Sequence, residues 1–363
     1  MKFLFVGTTR EHGGAEVHFV ALAQALVAAG HEVEAVVYPG APVAQALKGS
    51  AVRLHPGQFR NVFDLRGYRA TIAAARRLRP DWLVGDFGKE YWPLILVGRL
   101  LGIPVALFRH RLKPMNRLSA HLVARCAQRF FAVSEYARRN YIEHGMPAAR
   151  VQVLYNPVDT GLFRPDATQR SALLHVLGLD EDAIVLGYTG RMLAWKGIFT
   201  LLEAADAAMA REPRLHCLWL GDGIDTQRLQ ERIAALPLTH RHHVLGWVDD
   251  AHSYYNALSM LALPSLGPET FGRVSVEAQA CGVPALCSMA GGIPETLQPG
   301  VTGLLLPPGD VDAWRDAILA LCDDGTRRPM GSAACDFVQH HFDTTVIAEA
   351  FVRMLDTPQP RMD

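Results

Sequence analysis

This sequence of 363 residues has no excess of charge of either sign, because 36 lysines and arginines balance 36 aspartates and glutamates. A protein that binds nucleic acid through a basic electrostatic field has a surplus of positive charge, so the balance argues against that class. Half of the residues are hydrophobic and a fifth are charged, which is typical of a globular protein. The length favours two domains over one.

Cysteine is scarce and shows no pairing motif. The six cysteines form no C-x-x-C pair and have no histidine partner at the spacing of a zinc site. Most lie in apolar surroundings, so we predict buried thiols and no disulfide framework. They are Cys126, Cys217, Cys281, Cys287, Cys322 and Cys335.

Long hydrophobic runs are missing as well. The longest apolar region, residues 91–108, is interrupted by Pro93, Arg99, Gly102 and Pro104, so it does not predict a membrane span. The apolar run at residues 1–7 is too short for the core of a secretion signal and is followed by no small-residue cleavage site. We therefore expect a cytoplasmic protein, with the inner face of the membrane as a further location to test.

Several common catalytic motifs are missing. The loop at residues 7–16 lacks the G-x-G-x-x-G spacing of a dinucleotide site, and no G-x-S-x-G elbow surrounds Ser134. Two D-x-D pairs, at residues 180–182 and 310–312, precede a predicted strand and begin a predicted helix, where aspartate serves as a cap. We therefore predict no metal site.

The chain contains two series of short apolar runs that alternate with helical patterns. Such alternation indicates parallel sheets covered by helices on both faces, hence an α/β fold of two doubly wound Rossmann-like domains. Ligands bind such sheets at the carboxyl ends of the strands, which predicts an active site in an interdomain cleft. The predicted units are residues 1–160, residues 161–342 and a C-terminal helical segment, 343–363, that packs back across the hinge. The predicted strands are residues 3–6, 32–37, 82–84, 105–108, 130–133 and 151–154, then 184–188, 215–220, 243–245, 260–263, 284–287 and 303–306.

Two acids flank a glycine-containing turn after the predicted strand 260–263. Glu269 precedes the turn and Glu277 lies in the helix that follows. The N-terminus of a helix presents unpaired N–H groups and binds anions. Carboxylates beside an anion site suit a ligand with hydroxyls as well as phosphate, and a nucleotide-sugar has both.

Two cations follow the first predicted strand of the second domain. Arg191 and Lys196 are flanked by Gly190 and Gly197. An arginine fork and a lysine ammonium both suit a diphosphate, although a solvated loop explains the pair equally well on its own.

Other strand ends carry weaker signals. Gly13 and Gly14 would let a ligand approach the backbone at the start of the first helix, or simply form a turn. Gly246 and Trp247 could contact a base, or the tryptophan could pack in a core. His110 follows a first-domain strand and could support a reacting sugar or serve only the structure.

Basic residues are frequent in the first half of the chain. A solvated face explains them, and an anionic acceptor or an anionic membrane surface is the alternative. They are Arg66, Arg69, Arg76, Arg77, Arg79, Arg109, Arg111, Lys113 and Arg117.

In this order, the motifs resemble the retaining nucleotide-sugar glycosyltransferases of family 4, which have the GT-B architecture of two facing Rossmann-like domains. The resemblance covers nearly the whole chain. Besides the residues above, it rests on the sequences at 133–135, 156–159, 246–248, 282–284, 291–295 and 302–304, together with Phe163 and Pro165.

The resemblance implies a role for each matching residue. Arg191 and Lys196 would hold the donor diphosphate and stabilise the leaving group, Glu269 would contact the donor sugar, and Glu277 would bind the ribose. His110 would lie beside the sugar and Gly14 near the phosphate or the acceptor. The remaining donor-binding positions would be Gly246, Trp247, Phe271, Gly272, Arg273 and Val274, with Phe271, Gly272 and Arg273 acting through backbone N–H groups.

The family further implies retention of the anomeric configuration with neither a protein nucleophile nor a required metal, and no cofactor besides the nucleotide-sugar co-substrate. We expect a UDP-sugar in preference to GDP-mannose, transfer of a hexose or N-acetylhexosamine, and a glycan or lipid-linked acceptor in bacterial-type surface polysaccharide or lipopolysaccharide synthesis. The alternatives are a nucleotide-sugar epimerase of the same fold and a non-catalytic nucleotide-sugar-binding module.

Overall fold

The computed structural model describes residues 1–11, 13–248 and 250–357, which form two α/β units. The first unit comprises Met1–Pro157 with Phe342–Asp363, and the second comprises Val158–His341. His12 of the predicted glycine-containing loop and positions 358–363 of the predicted C-terminal segment lie outside the described residues.

The first unit is built on a seven-stranded parallel sheet in the order β3-β2-β1-β4-β5-β6-β7. The chain enters at β1 in the middle, fills one side of the sheet, and crosses back to fill the other. The strands are β1 Lys2–Gly7, β2 Glu32–Val37, β3 Arg53–Pro56, β4 Trp82–Gly85, β5 Val105–Arg109, β6 Arg129–Ala132 and β7 Val151–Val153.

Helices cover both faces of this sheet. They are α1 Gly14–Ala28, α2 Pro42–Ala46, α3 Leu65–Leu78, α4 Tyr91–Leu101, α5 Arg117–Cys126, α6 Glu135–Glu143 and, from the end of the chain, α14 Thr344–Asp356. Local signals set their ends. The chain leaves α1 at Gly30, which has a φ of 83° that favours glycine, and the Ser134 hydroxyl caps α6 by accepting from the N–H of Ala137.

Residues 3–6 of the central strand β1 are buried on both faces, which explains their uninterrupted apolar sequence. Phe3 and Phe5 lie in a core cluster with residues of α1 and α14, and the Phe3 and Phe351 rings are 5.9 Å apart. Leu4 and Val6 belong to the cluster on the opposite face, with residues of α3 and α4. The last helix therefore contributes to the core of the first unit.

The second unit repeats the plan with a six-stranded parallel sheet in the order β10-β9-β8-β11-β12-β13. The strands are β8 Ile184–Thr189, β9 Leu215–Leu220, β10 His242–Gly246, β11 Met260–Leu263, β12 Ala285–Ser288 and β13 Gly303–Leu306. The helices are α7 Ala167–Val176, α8 Ile198–Met209, α9 Thr226–Ala234, α10 Ala251–Tyr255, α11 Arg273–Ala280, α12 Val311–Ala320 and α13 Asp324–His341.

The two predicted parallel sheets are confirmed, and the predicted strands are found within about two residues of their expected ends. Several elements were not predicted individually, among them β3, α7 and α13. The edge strand β3 is too short and too polar to stand out, and α13 contains Pro329. Helix α7 lies shortly after the predicted boundary between the two domains, and the Asp166 carboxylate caps it.

The predicted cap role of Asp310 is confirmed, because its carboxylate accepts from the N–H of Ala313. All six cysteines are free thiols, and four of them are buried. Among the described residues, no helix is long and apolar enough to cross a membrane.

Candidate active site

The strand order of each sheet marks one place for a ligand. Chain order reverses between β1 and β4 in the first unit and between β8 and β11 in the second. At such a reversal the loops leave in opposite directions and open a crevice beyond the carboxyl ends of the strands, where ligands bind. The loop after β8 carries Arg191 and Lys196, and the loop after β11 carries Glu269.

Glycines let the loops of the second unit pack tightly at this edge. Gly197 has a φ of 77°, and a Cβ there would lie 1.9 Å from the carbonyl oxygen of Pro264. Gly291 has a φ of 64°, and its Cβ would lie 2.3 Å from the carbonyl oxygen of Glu269. The N–H of Leu266 also donates to the carbonyl of Trp195 over 2.8 Å. The loops after β8, β11 and β12 are therefore held together through backbone contacts.

Lys196 and Glu269 meet across two of these loops. The Lys196 Nζ lies 2.7 Å from Oε2 of Glu269, and the two side chains are only 15% and 14% exposed. The Ser265 hydroxyl donates to the other oxygen of Glu269, and the Lys196 ammonium lies 4.7 Å from the centre of the Trp195 ring. The acid and the cation are thus both held in place at the edge of the sheet.

Arg191 lies at the same edge. Tyr188, near the end of β8, donates its hydroxyl to the carbonyl of Arg191 over 2.8 Å. Burial raises the pKa of this hydroxyl, the charge of Glu269 raises it further, and the Arg191 guanidinium lowers it. Arg191 and Glu269 therefore act on the same group, and Arg191 is itself exposed to a ligand.

Glu277 lies on α11, which begins at the same edge. Gly272, with a φ of 116°, precedes the helix. The Arg273 Nε donates to Glu277 over 2.6 Å, and the Tyr255 hydroxyl donates to its other oxygen over 2.9 Å. Burial and the charge of Glu277 raise the pKa of Tyr255, so this phenol stays a donor. The strand, turn and helix predicted around the two acids are confirmed.

The other predicted donor positions differ in what they can offer. The Phe271 side chain is buried in the protein, so only its backbone can reach a ligand, as its expected role requires. Val274 is partly buried against the core. Gly246 ends β10 with a φ of 73° and is followed by the exposed Trp247. In the first unit Gly14 is exposed, and no described atom lies within 4 Å of a Cβ placed there.

Exposed apolar side chains gather on the loops that follow the strands of the second unit. Each of the five loops from β8 to β12 carries one, and such side chains suit the flat faces of a base or a sugar ring. They are Trp195, Ile224, Trp247, Leu266 and Met289.

In the first unit His110 belongs to a buried cluster. Its Nε2 lies 2.9 Å from Oδ1 of Asp86, which follows β4, and the Nδ1 of His18 on α1 lies 3.0 Å from the same oxygen. Burial favours the neutral acid, but the two imidazoles outweigh it and lower the pKa of Asp86 to about 2. Asp86 and His18 were not predicted from the sequence, although Asp86 follows a strand just as His110 does.

The same three side chains could hold a metal ion by their donor types. Their ligand atoms all lie within 4.8 Å of one another, and two imidazoles with a carboxylate suit a divalent transition metal. In the structure, the two rings and the carboxylate instead contact each other directly at hydrogen-bonding distance.

Glu90 is a second buried acid near this cluster. Its Oε1 accepts from the N–H of Thr8 over 2.8 Å and from the Thr8 hydroxyl over 2.6 Å. Burial raises the pKa of Glu90 to about 7, against the effect of the Thr8 hydrogen bonds. It therefore supports the loop after β1, which leads to Gly14.

The predicted basic residues do not form one uniform group. Arg111 pairs with Glu11 over 3.1 Å, Arg77 pairs with Glu34, and the Arg109 guanidinium donates to the carbonyl of Lys113. Several of these charges are thus balanced or used within the first unit.

Two family models match the chain. The model described as Glycosyltransferase Family 4 matches residues 12–162, and the one described as Glycosyl transferases group 1 matches residues 169–335. Two Rossmann-like units, each built on a parallel sheet, are the architecture of the GT-B glycosyltransferases. The chain belongs to glycosyltransferase family 4, as the resemblance predicted.

Known proteins agree with this assignment. The D-inositol 3-phosphate glycosyltransferase of Kribbella flavida is 33% identical over 243 residues, which are 62% of this chain and 56% of the relative, or little more than half of its length. That of Mycobacterium tuberculosis is 28% identical over 374 residues, 90% of this chain and 75% of the relative.

Solved structures show the same fold. Anabaena Alr3699/HepE in complex with UDP and glucose matches with a TM-score of 0.83 and 23% identity, covering 99% of this chain and 100% of that one. A glycosyltransferase from Rickettsia africae ESF-5 matches with a TM-score of 0.86 and 18% identity over 98% and 99% of the two chains.

Proposed function

We propose that this protein transfers a hexose or N-acetylhexosamine from a nucleotide-diphosphate sugar, with a UDP-sugar favoured over GDP-mannose, and retains the anomeric configuration. The single observation that carries the proposal is the Lys196–Glu269 pair beside Arg191 at the switch point of the second unit. A fixed cation, an arginine fork and a carboxylate suit a ligand that has both a diphosphate and sugar hydroxyls.

Cleavage of the glycosyl–phosphate bond builds negative charge on the departing diphosphate. Arg191 and Lys196 would stabilise that charge where it develops, and the N-terminus of α11 would add backbone N–H groups. Glu269 would accept hydrogen bonds from the hydroxyls of the donor sugar, Glu277 would bind the ribose, and His110 would contact the sugar. In this scheme a phosphate oxygen deprotonates the acceptor, and neither a metal nor a protein nucleophile is required.

We further propose a glycan or lipid-linked acceptor in surface polysaccharide or lipopolysaccharide synthesis, with the protein cytoplasmic or at the inner face of the membrane. The Anabaena neighbour was solved with UDP and glucose, which supports UDP-sugars as the first donors to test. The relatives named for D-inositol 3-phosphate make inositol phosphates a second acceptor class for the same assays.

The first experiment is a thermal-shift screen against UDP, GDP and their sugars, because a ligand that binds only the folded state raises the melting temperature. Donors that bind are then incubated with and without acceptors, with and without a chelator. We expect slow hydrolysis of one donor alone, faster turnover with an acceptor, and the donor's anomeric configuration in the product.

Other outcomes would favour the other candidates. An epimerase would release UDP or an epimerised sugar with no acceptor present, and a binding module would show a thermal shift with no turnover of any donor. Loss of turnover in the chelator would contradict the metal-independent scheme.

An exposed apolar surface on the first unit supports membrane association. Helices α4 and α5 carry four exposed leucines, here called the leucine patch: Leu96, Leu100, Leu118 and Leu122. Arg99 and Arg125 lie on the same helices, and Arg117 begins the second one. Apolar side chains with arginines are typical of surfaces that bind anionic lipids.

A further inference from the structure

Two histidines share one oxygen of a buried carboxylate in the first unit. His110 Nε2 and His18 Nδ1 lie 2.9 Å and 3.0 Å from the same Oδ1 of Asp86, whose side chain has no exposure. The three residues come from three different elements: α1, the end of β4 and the end of β5. The shared carboxylate oxygen of Asp86 therefore connects these three elements.

This contact fixes where the proton of His110 lies. An ionised carboxylate oxygen can only accept, so each facing ring nitrogen must carry a hydrogen. His110 therefore has its hydrogen on Nε2, and in the neutral ring the lone pair is on Nδ1. Among the described residues, the Nδ1 of His110 has no hydrogen-bond partner. The orientation of the His110 ring is also restricted by its neighbours. The angle between the His110 and Phe108 ring planes is 17°, and the centres of the His110 and His18 rings are 4.6 Å apart.

We propose that Asp86, itself held by His18, is a positioning residue that fixes His110 as the Nε2–H tautomer, so that Nδ1 accepts a hydrogen bond from a hydroxyl of the donor sugar. The proposal rests on the proposed function and adds to it the direction of the contact. His110 receives a hydroxyl proton in a hydrogen bond and does not donate one. A sugar that lacks this hydroxyl loses the contact, whereas UDP alone never makes it.

The tautomer is measured directly by nitrogen NMR of the full chain with 15N-labelled histidine. The signal of His110 is assigned among the 15 histidines by its loss in His110→Gln. We expect a protonated Nε2 and an unprotonated Nδ1 in the free protein, and a shift of the Nδ1 signal on addition of the UDP-sugar but not of UDP. A proton on Nδ1 in the free protein overturns the proposal, and so does an Nδ1 signal that UDP alone moves equally.

Substitution of the carboxylate tests the positioning role. Asp86→Asn is expected to mix the two tautomers of His110, and to lower kcat/KM for the UDP-sugar about 10- to 100-fold while the Kd for UDP stays unchanged. The matched control is Asp81→Asn, whose carboxylate accepts only from the backbone N–H of Lys2. An unchanged tautomer in folded Asp86→Asn, or an equal loss of UDP binding, contradicts the proposal.

Two further measurements distinguish the proposal from loss of folding and from a metal site. If Asp86→Asn does not fold, the spectrum of the unaltered protein decides the tautomer by itself. Addition of Zn²⁺ that shifts the His18 and His110 signals together at micromolar concentration identifies a metal site instead, and overturns the proposal. Because the tautomer of the free protein needs no turnover, an inactive protein with the expected spectrum counts against the proposed function and leaves the positioning by Asp86 intact.

Discussion

The ammonium of Lys196 lies 2.7 Å from a carboxylate oxygen of Glu269, across loops that follow the neighbouring strands β8 and β11. Both side chains are largely shielded from water, so the attraction between them is stronger than in an exposed pair. A diphosphate that binds Lys196 would compete with Glu269 for the same ammonium. The pair thus predicts that the donor diphosphate replaces Glu269 as the partner of the Lys196 ammonium when the donor binds.

This competition separates the roles of the two acids. In Glu269→Gln the ammonium loses its carboxylate partner, so we expect UDP binding to be unchanged or tighter and donor turnover to fall roughly 100-fold. In Glu277→Ala the ribose contact is lost, so we expect the Kd for UDP to rise about 10-fold or more. Calorimetric titration with UDP and a turnover assay measure the two effects. Equal weakening of UDP binding in both variants would contradict the assignment.

Close packing at the switch point predicts an unequal cost for two glycine substitutions. Gly178 and Gly197 have similar φ values of 68° and 77°, but only the second has a backbone atom where a Cβ would lie. We expect Gly178→Ala to lower the free energy of unfolding by about 1 kcal/mol through backbone strain, and Gly197→Ala to lower it by at least about 2 kcal/mol more. Denaturant unfolding measures both. Similar values would show that the loops after β8 and β11 are not held together as described.

The buried acid Glu90 predicts a pH dependence of stability. Burial raises its pKa from 4.5 to about 7, so between these values the unfolded chain is ionised while the folded chain keeps its proton. The contribution of Glu90 to the free energy of unfolding is therefore fully present below pH 4.5 and is lost as the pH rises through about 7. The shift corresponds to roughly 3 kcal/mol.

A matched variant isolates this effect. Burial lowers the pKa of both His216 and His242 to about 4, and these groups titrate in part of the same range with the opposite sign. We therefore expect the difference in free energy of unfolding between the unaltered protein and Glu90→Gln to fall as the pH rises from 4.5 to 7.5. A difference that is constant over this range would show that Glu90 titrates normally.

The leucine patch predicts reversible association with anionic membranes. We expect co-sedimentation of the protein with vesicles that contain phosphatidylglycerol at low salt, and about a 10-fold loss in Leu118→Ser/Leu122→Ser, since each serine removes buried apolar area. Val176→Ser, a change at an exposed residue of α7 in the second unit, is the control. Absence of co-sedimentation at low salt would contradict the proposal that the leucine patch binds anionic membranes.

The predictable part of the fold came from strands that are buried on both faces. Segments such as residues 3–6 and 260–263 are apolar throughout, which is typical of parallel strands that are buried on both faces. Edge strand β3 and helix α13 depend on tertiary packing more than on a local sequence pattern. They were therefore not predicted from the sequence. Helix α7 is recognisable in retrospect by its Asp166 cap.

The candidate site was predictable where function follows from position at a strand end. Arg191, Lys196 and Glu269 each follow a strand, and the structure places them at one edge of the sheet. The partners of the site carboxylates were not predictable, because they come from loops and helix faces whose packing has no local signature. They are Ser265 for Glu269, Tyr255 for Glu277 and His18 for Asp86. Asp86 also follows a strand directly, so its position at the edge of the sheet could have been predicted in the same way.

The proposed donor chemistry depends above all on the two cations after β8. In Lys196→Ala and in Arg191→Ala, we expect the kcat for the UDP-sugar identified by the screen to fall about 100- to 1000-fold, because each removes a fixed positive charge from the departing diphosphate. Arg211→Ala, which removes an exposed arginine just beyond α8, is the control and should keep full turnover.

The most direct test of the account is therefore the rate of UDP release by these three variants, measured beside the unaltered protein with the same donor and acceptor. We expect a loss of at least about 100-fold for Lys196→Ala and Arg191→Ala, with Arg211→Ala unaffected. Folded Lys196→Ala and Arg191→Ala variants that release UDP at the unaltered rate would contradict it.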